Sequence, residues 1–265
     1  MKRTMRLTGT TAAHSSRSLP AWIMVMVGLA LGQADTARAA SFTVNPIQVF
    51  LSASTRSALV TVKNETDQPL RFQLSVVAWN QEPNGQMQLA PTQDVVFFPP
   101  LLTLKAKEER KIRVGVTVPP GTAEKTYRLF VEELPPTETQ SATNGVQMLT
   151  KMGIPIFLQP TKVVARAVLK ELNVKAGRFS FQLQNEGTVH FIPLSVRVLG
   201  LDGSGLKVFE DKPYIWYVLA GGVRSFDMAL PQDACAQVRS LVIETQLTEN
   251  TVKETLQAPA GVCAK

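Results

Sequence analysis

The sequence predicts an all-β protein built as two consecutive immunoglobulin-like β-sandwiches. Three observations predict the sandwiches. Short runs of β-branched and apolar residues alternate with polar ones, and turn residues interrupt them at intervals of about ten residues. No stretch keeps a sustained helical period. The strand-and-turn pattern also runs twice, with a break at Pro160-Thr161-Lys162.

The first element is expected to be removed before folding. Lys2, Arg3, Arg6 and Arg17 precede an apolar run at residues 21–31, and Ala37-Arg38-Ala39 follows it. That run is too short for a bilayer core of roughly 30 Å, which argues against a membrane anchor. A basic end, a short apolar core and a small-residue site read as a secretory signal peptide cleaved after Ala39. No cysteine lies near the site to carry a lipid.

Cleavage changes the charge. The 265 residues carry 28 Lys and Arg against 21 Asp and Glu, a net +7. Residues 1–39 hold five of the bases and one of the acids, so the remaining 226 residues carry 23 and 20, a net +3. A nucleic-acid partner is not expected, because that needs Lys and Arg gathered on one face. The densest charged stretch, Lys105 to Arg113, mixes both signs and reads as a solvated turn. Cys235 and Cys263 are expected to form a disulfide in an oxidising compartment, stapling the C-terminal part. With one histidine beyond residue 39, they do not make a convincing zinc site.

The strands of the first half are expected at 42–51, 57–64, 70–80, 94–98, 110–118, 126–134 and 146–159. The 64–69 connector, Pro83-Asn84-Gly85, Pro99-Pro100, Pro119-Pro120-Gly121 and Pro135-Pro136 separate them. Those of the second half are expected near 163–174, 178–185, 191–199, 206–209, 213–219, 223–230 and 237–248. The predicted domains are therefore 40–160 and 161–265, both of ordinary size.

Catalytic chemistry is not expected. A Ser-His-Asp triad would have to use His190, which sits at a strand end and reads as a structural residue. No nucleophile elbow is present. The glycines of 200–205 open no helix and read as a hairpin loop. Glu132 and Glu133 are strand neighbours pointing to opposite faces. No cofactor is implied.

The run from Val146 to Leu158 stands out. Val146, Met148, Met152, Ile154, Ile156 and Leu158 share one parity, interrupted by Thr150, so on a strand they line one face. Pro155 lacks a backbone donor and favours an edge or a bulge. A long, methionine-rich edge strand invites pairing. It reads either as a donor strand for β-augmentation of a partner or as the closing strand of its own sandwich.

The order of these features resembles the PapD-like periplasmic chaperones of pilus assembly, over nearly the whole exported chain. The resemblance is carried by Phe42-Thr43-Val44-Asn45-Pro46-Ile47, residues 59–64, Phe97-Phe98-Pro99-Pro100-Leu101-Leu102-Thr103-Leu104 and residues 110–114. Residues 127–135 (YRLFVEELP) and Gly153-Ile154-Pro155-Ile156-Phe157 look most like the archaic branch.

The resemblance implies a non-enzymatic chaperone in the periplasm, with its two immunoglobulin-like β-sandwich domains in an angled arrangement. It would lend its seventh strand to incomplete pilus (fimbrial) subunits and pass them to an outer-membrane usher. Val146, Met148, Thr150 and Met152 fall on the donor positions. The family anchors the subunit's C-terminal carboxylate with a first-strand arginine and a seventh-strand lysine. Those positions fall here on Gln48 and on Gly153 or Pro155, so Arg128 and Lys151 are the substitute anchor candidates. Self-association of the unloaded chain stays open. A pilus subunit would be a single sandwich, which this chain is not expected to be. An exported Ig-like binding module without a pilus role is the alternative.

Overall fold

Alternating strands need partners, and among the described residues they find them in four sheets. A computed structural model describes residues 42–136, 148–259 and 262–263. The expected signal peptide, residues 1–39, and Val146 lie outside the described residues. All of the described strands belong to one unit, Ala40–Lys265.

The first ten strands are β1 (Phe42–Asn45), β2 (Val49–Leu51), β3 (Ser57–Asn64), β4 (Leu70–Gln81), β5 (Met87–Pro91), β6 (Val95–Phe98), β7 (Leu101–Leu104), β8 (Glu109–Val116), β9 (Lys125–Leu134) and β10 (Lys151–Leu158). They form one sheet in the order β1-β3-β8-β6 and a second in the order β2-β10-β9-β4-β5, with β7 also on β4. Val60, Val62, Ile112 and Val114 from the first sheet meet Phe72, Leu129, Ile154 and Ile156 from the second in one buried core. The period-2 pattern read from the sequence is the alternation that fills this core.

The remaining strands are β11 (Ala167–Lys175), β12 (Arg178–Asn185), β13 (Ser195–Leu201), β14 (Lys207–Asp211), β15 (Val223–Ala229), β16 (Ser240–Gln246) and β17 (Thr251–Gln257), with a single turn of helix α1 (Gln232–Cys235). Their sheets run β11-β12-β15 and β14-β13-β16-β17. Phe179, Phe181, Val198 and Ile243 anchor the second core. Cys235 at the end of α1 is bonded to Cys263, with Cα atoms 5.9 Å apart, which ties the C-terminal segment to this core.

Several strands differ from the expectation. The run 42–51 is two strands, because the chain crosses from one sheet to the other at 46–48 and Pro46 has no N–H for a ladder. β5 and β17 were not expected. β5 is exposed throughout and β17 mostly so, and neither shows the apolar alternation that marks a half-buried strand. β7 was likewise not counted as a separate strand. The 213–219 run joins no sheet: its ladder contact among the described residues is the bridge Phe191↔Val218, and burial of Ile215, Tyr217, Val218 and Leu219 holds the rest.

The outer face of the last sheet carries a cross-strand ladder of charge. Glu210 meets Lys207, Arg197 and Lys212, and Arg197 also reaches Glu244, which pairs with Lys253. The Lys207 contact, then those of Arg197 and Lys212, push the Glu210 carboxyl down to about 2. An unfolded glutamate titrates near 4.3. The stabilisation is therefore complete above that value and is lost as pH falls toward about 2. A Glu210→Gln variant is expected to show a smaller drop in melting temperature between pH 5 and pH 2 than the parent, by about a few degrees. Parallel curves for the two proteins would show that the ladder does not stabilise the fold.

Candidate functional site

The site grows from the register of β9, β10 and β4. β10 pairs antiparallel with β9 so that Pro155 lies opposite Arg128 and Lys151 opposite Glu132. On β4, Val77 lies opposite Arg128. Side chains alternate across a sheet. Ile154, Ile156 and Leu158 therefore enter the first core, while Gly153, Pro155 and Phe157 share the other face with Arg128 and Trp79.

That other face meets the second sandwich. Trp79 and Phe157 pack with Tyr217 and Leu219 in a small aromatic cluster of their own. The Gln48 amide donates to the Tyr217 hydroxyl at 2.6 Å. His190 stacks on Phe157 with ring centroids 3.8 Å apart. Its Nδ1 lies 2.6 Å from Glu124 Oε2, and its backbone N–H donates to the same oxygen at 2.9 Å. His190 is thus a structural link between the sandwiches.

Arg128 lies at the centre of this face and is 4% exposed. Its Cζ sits 4.1 Å from the Trp79 ring centroid and 5.1 Å from that of Trp216. Nη1 donates to the Gly153 carbonyl at 3.3 Å. Nε and Nη2 are buried and have no hydrogen-bond partner among the described residues. Burial pushes the guanidinium below the usual arginine value, with Tyr217 acting in the opposite sense. Gly153 makes the arrangement possible. A Cβ there would come within 2.9 Å of the Phe130 ring and 3.4 Å of Arg128 Nη1. An arginine with two unpaired donors along one in-plane edge is suited to a carboxylate, which takes two parallel N–H bonds.

Lys151 does not join Arg128. It pairs with Glu132 at 2.7 Å and stands 4.9 Å from the Phe130 ring centroid, half exposed. Along the strands it is four positions from the Arg128 row, roughly 13 Å at about 3.3 Å per residue. One carboxylate cannot bridge both.

The 146–158 run divides. β10 begins at Lys151, and its even-numbered residues from Ile154 on close the first core. Met152 packs partly against that core. Met148 and Thr150 lie before the strand. Met148 is 87% exposed although it shares the inward parity. The ladder to β9 reaches one residue further, since the Glu133 N–H donates to the Thr150 carbonyl at 2.9 Å. On the opposite edge β2 pairs only with residues 156–158. The edge of 148–155 away from β9 therefore has no strand beside it among the described residues. Trp79, Trp216 and Tyr217 were not singled out from sequence. The alternation of Tyr214 and Trp216 outward with Ile215 and Tyr217 inward was the available signal.

Residues 41–164 match the family described as pili and flagellar-assembly chaperone, PapD N-terminal domain. A comparison with curated proteins gives no match. Among solved structures, the fold is similar to one from the CsuC–CsuE chaperone–tip subunit complex of the archaic chaperone-usher Csu pili of Acinetobacter baumannii. That likeness has 20% identity and a TM-score of 0.56, over 82% of this chain and 98% of that one. A second is with the Salmonella enterica SafA pilin–SafB chaperone complex, at 16% identity and a TM-score of 0.54, over 83% and 98% of the two chains. The class 5 fimbriae chaperone CfaA gives 15%, 0.55, 82% and 99% in the same terms. At these identities the likeness is one of fold.

Proposed function

We propose, for a chain that is PapD-like by family and whose residues 41–164 belong to the PapD N-terminal-domain family of pili and flagellar-assembly chaperones, that it is an exported periplasmic chaperone. In this reading residues 1–39 are the signal peptide, and domains 40–160 and 161–265 follow. The chain holds pilus subunits by lending them an edge strand and hands them to an outer-membrane usher.

The observation that carries this is the state of the 148–153 segment. Its apolar parity continues past the start of the strand, and Met148 is 87% exposed with no core of its own to cover it. An apolar edge with no neighbouring strand is a template for pairing. An incomplete sandwich could pair with that edge and receive Met148, Thr150 and Met152, with Val146 continuing the face. Two unsatisfied surfaces would then be removed from water together. Arg128 is the carboxylate anchor in this reading. Lys151 serves at most the strand edge, because it is held by Glu132.

The test is capture of a pilus subunit by co-expression. Met148→Glu places a charge in an apolar groove and is expected to cut capture at least about 100-fold while the melting temperature stays within about 2 °C, because Met148 has no core to lose. Equal capture by parent and variant would leave the generic exported binding module as the better reading.

A further inference from the structure

The occlusion of Arg128 calls for a second residue. Its Nε and Nη2 lie buried without partners. Fixed packing would make that a permanent cost, since a buried unpaired donor is expensive. Trp79, one of its two aromatic neighbours, is 2% exposed and locked in the cluster with Phe157, Tyr217 and Leu219. Trp216, the other, is 41% exposed.

The rings do not sandwich the guanidinium. Cζ lies 4.1 Å from the Trp79 centroid and 5.1 Å from the Trp216 centroid, and the two centroids are 6.4 Å apart, so they subtend roughly a right angle at Cζ. They are two walls of a corner. Trp216 sits on a segment that joins no sheet, between buried Ile215 and Tyr217, with its own side chain turned toward solvent. One wall is rigid and the other stands at the solvent boundary.

We propose that Trp216 is the gate of the Arg128 site. In the unloaded chain its indole covers the guanidinium and offsets its burial by a cation–π contact. When a carboxylate arrives, Trp216 turns out to solvent and the carboxylate takes the Nε and Nη2 donors in its place. The exchange trades a weak, non-directional contact for two charge-assisted hydrogen bonds, which sets its direction. It also keeps an empty site from holding a passing anion cheaply. The inference rests on reading Arg128 as a carboxylate anchor.

The test separates the gate from the anchor. The chain lacking residues 1–39 is treated with phenylglyoxal, and modification of Arg128 is followed by peptide mass against exposed Arg166 as internal reference. Trp216→Ala is expected to raise the relative rate at Arg128 at least about fivefold, the order of one cation–π contact. Trp216→Phe, which keeps a ring, is expected to stay near the parent and serves as the comparison if the Ala variant does not melt cooperatively. In that case a Phe variant with a rate raised less than about twofold supports the gate, and one raised fivefold overturns it. Equal rates in the parent and a folded Trp216→Ala protein overturn the gate and leave the anchor standing. Acetate is then compared with chloride at equal ionic strength. Stronger protection of Arg128 by acetate in Trp216→Ala supports the anchor, and equal protection overturns it and with it the role of the gate in carboxylate exchange.

Discussion

Replacing Arg128 by Met is expected to abolish subunit capture without lowering the stability of the chain. Most substitutions of a buried residue destabilise, so the two halves of this expectation pull apart in an informative way. Arg128 is 4% exposed and leaves Nε and Nη2 without partners. Among the described residues the Gly153 carbonyl at 3.3 Å, the indole contacts and Tyr217 offset its desolvation. A methionine of similar reach removes the buried charge and can keep the packing against Trp79. The melting temperature should therefore hold or rise. Capture should fall at least about 100-fold, the scale of losing charge-assisted hydrogen bonds to one carboxylate. The measurement pairs a thermal melt with co-purification of a co-expressed subunit. A large loss of stability with capture intact would make Arg128 a structural residue.

Asn64→Ala is expected to cost about 3 kcal/mol, because one fully buried amide satisfies several backbone groups at once. Its Nδ2 donates to the carbonyls of Gln68 at 2.7 Å and Lys105 at 2.9 Å. Its Oδ1 accepts from the Thr66 N–H and from the Thr66 hydroxyl, each at 2.8 Å. Truncation leaves these partly buried groups without their partner. The second sandwich repeats the device. Asn185 Nδ2 donates to Val189 and Val218 carbonyls at 2.8 and 3.0 Å, and its Oδ1 accepts from the Gly187 N–H at 2.8 Å. For a chain of this size the Asn64 change should lower the melting temperature by roughly 5–10 °C in differential scanning calorimetry. A shift under about 1 °C would mean that water or a local rearrangement satisfies the stranded groups.

The sequence by itself determined the all-β class, the repetition of the sandwich and most of the strands. Residues 57–64, 70–81 and 178–185 read almost to their ends, because alternation at period 2 is a local consequence of one face being buried. Asn64-Glu65-Thr66 and Asn185-Glu186-Gly187 were legible as connectors for the same local reason. Tertiary structure alone decided three other matters. It divided the run ending at Leu158 into a core-closing half and an exposed half, because both halves carry the same parity and only the extent of the opposing sheet distinguishes them. It left the 213–219 run outside any sheet, since a strand pattern does not form a strand without a neighbour. And it brought Trp216 from the second sandwich to Arg128 in the first. The contact between an indole and a guanidinium so distant in the chain leaves no periodic mark in the sequence, because it is set by how the two cores pack and not by the spacing of residues along either strand.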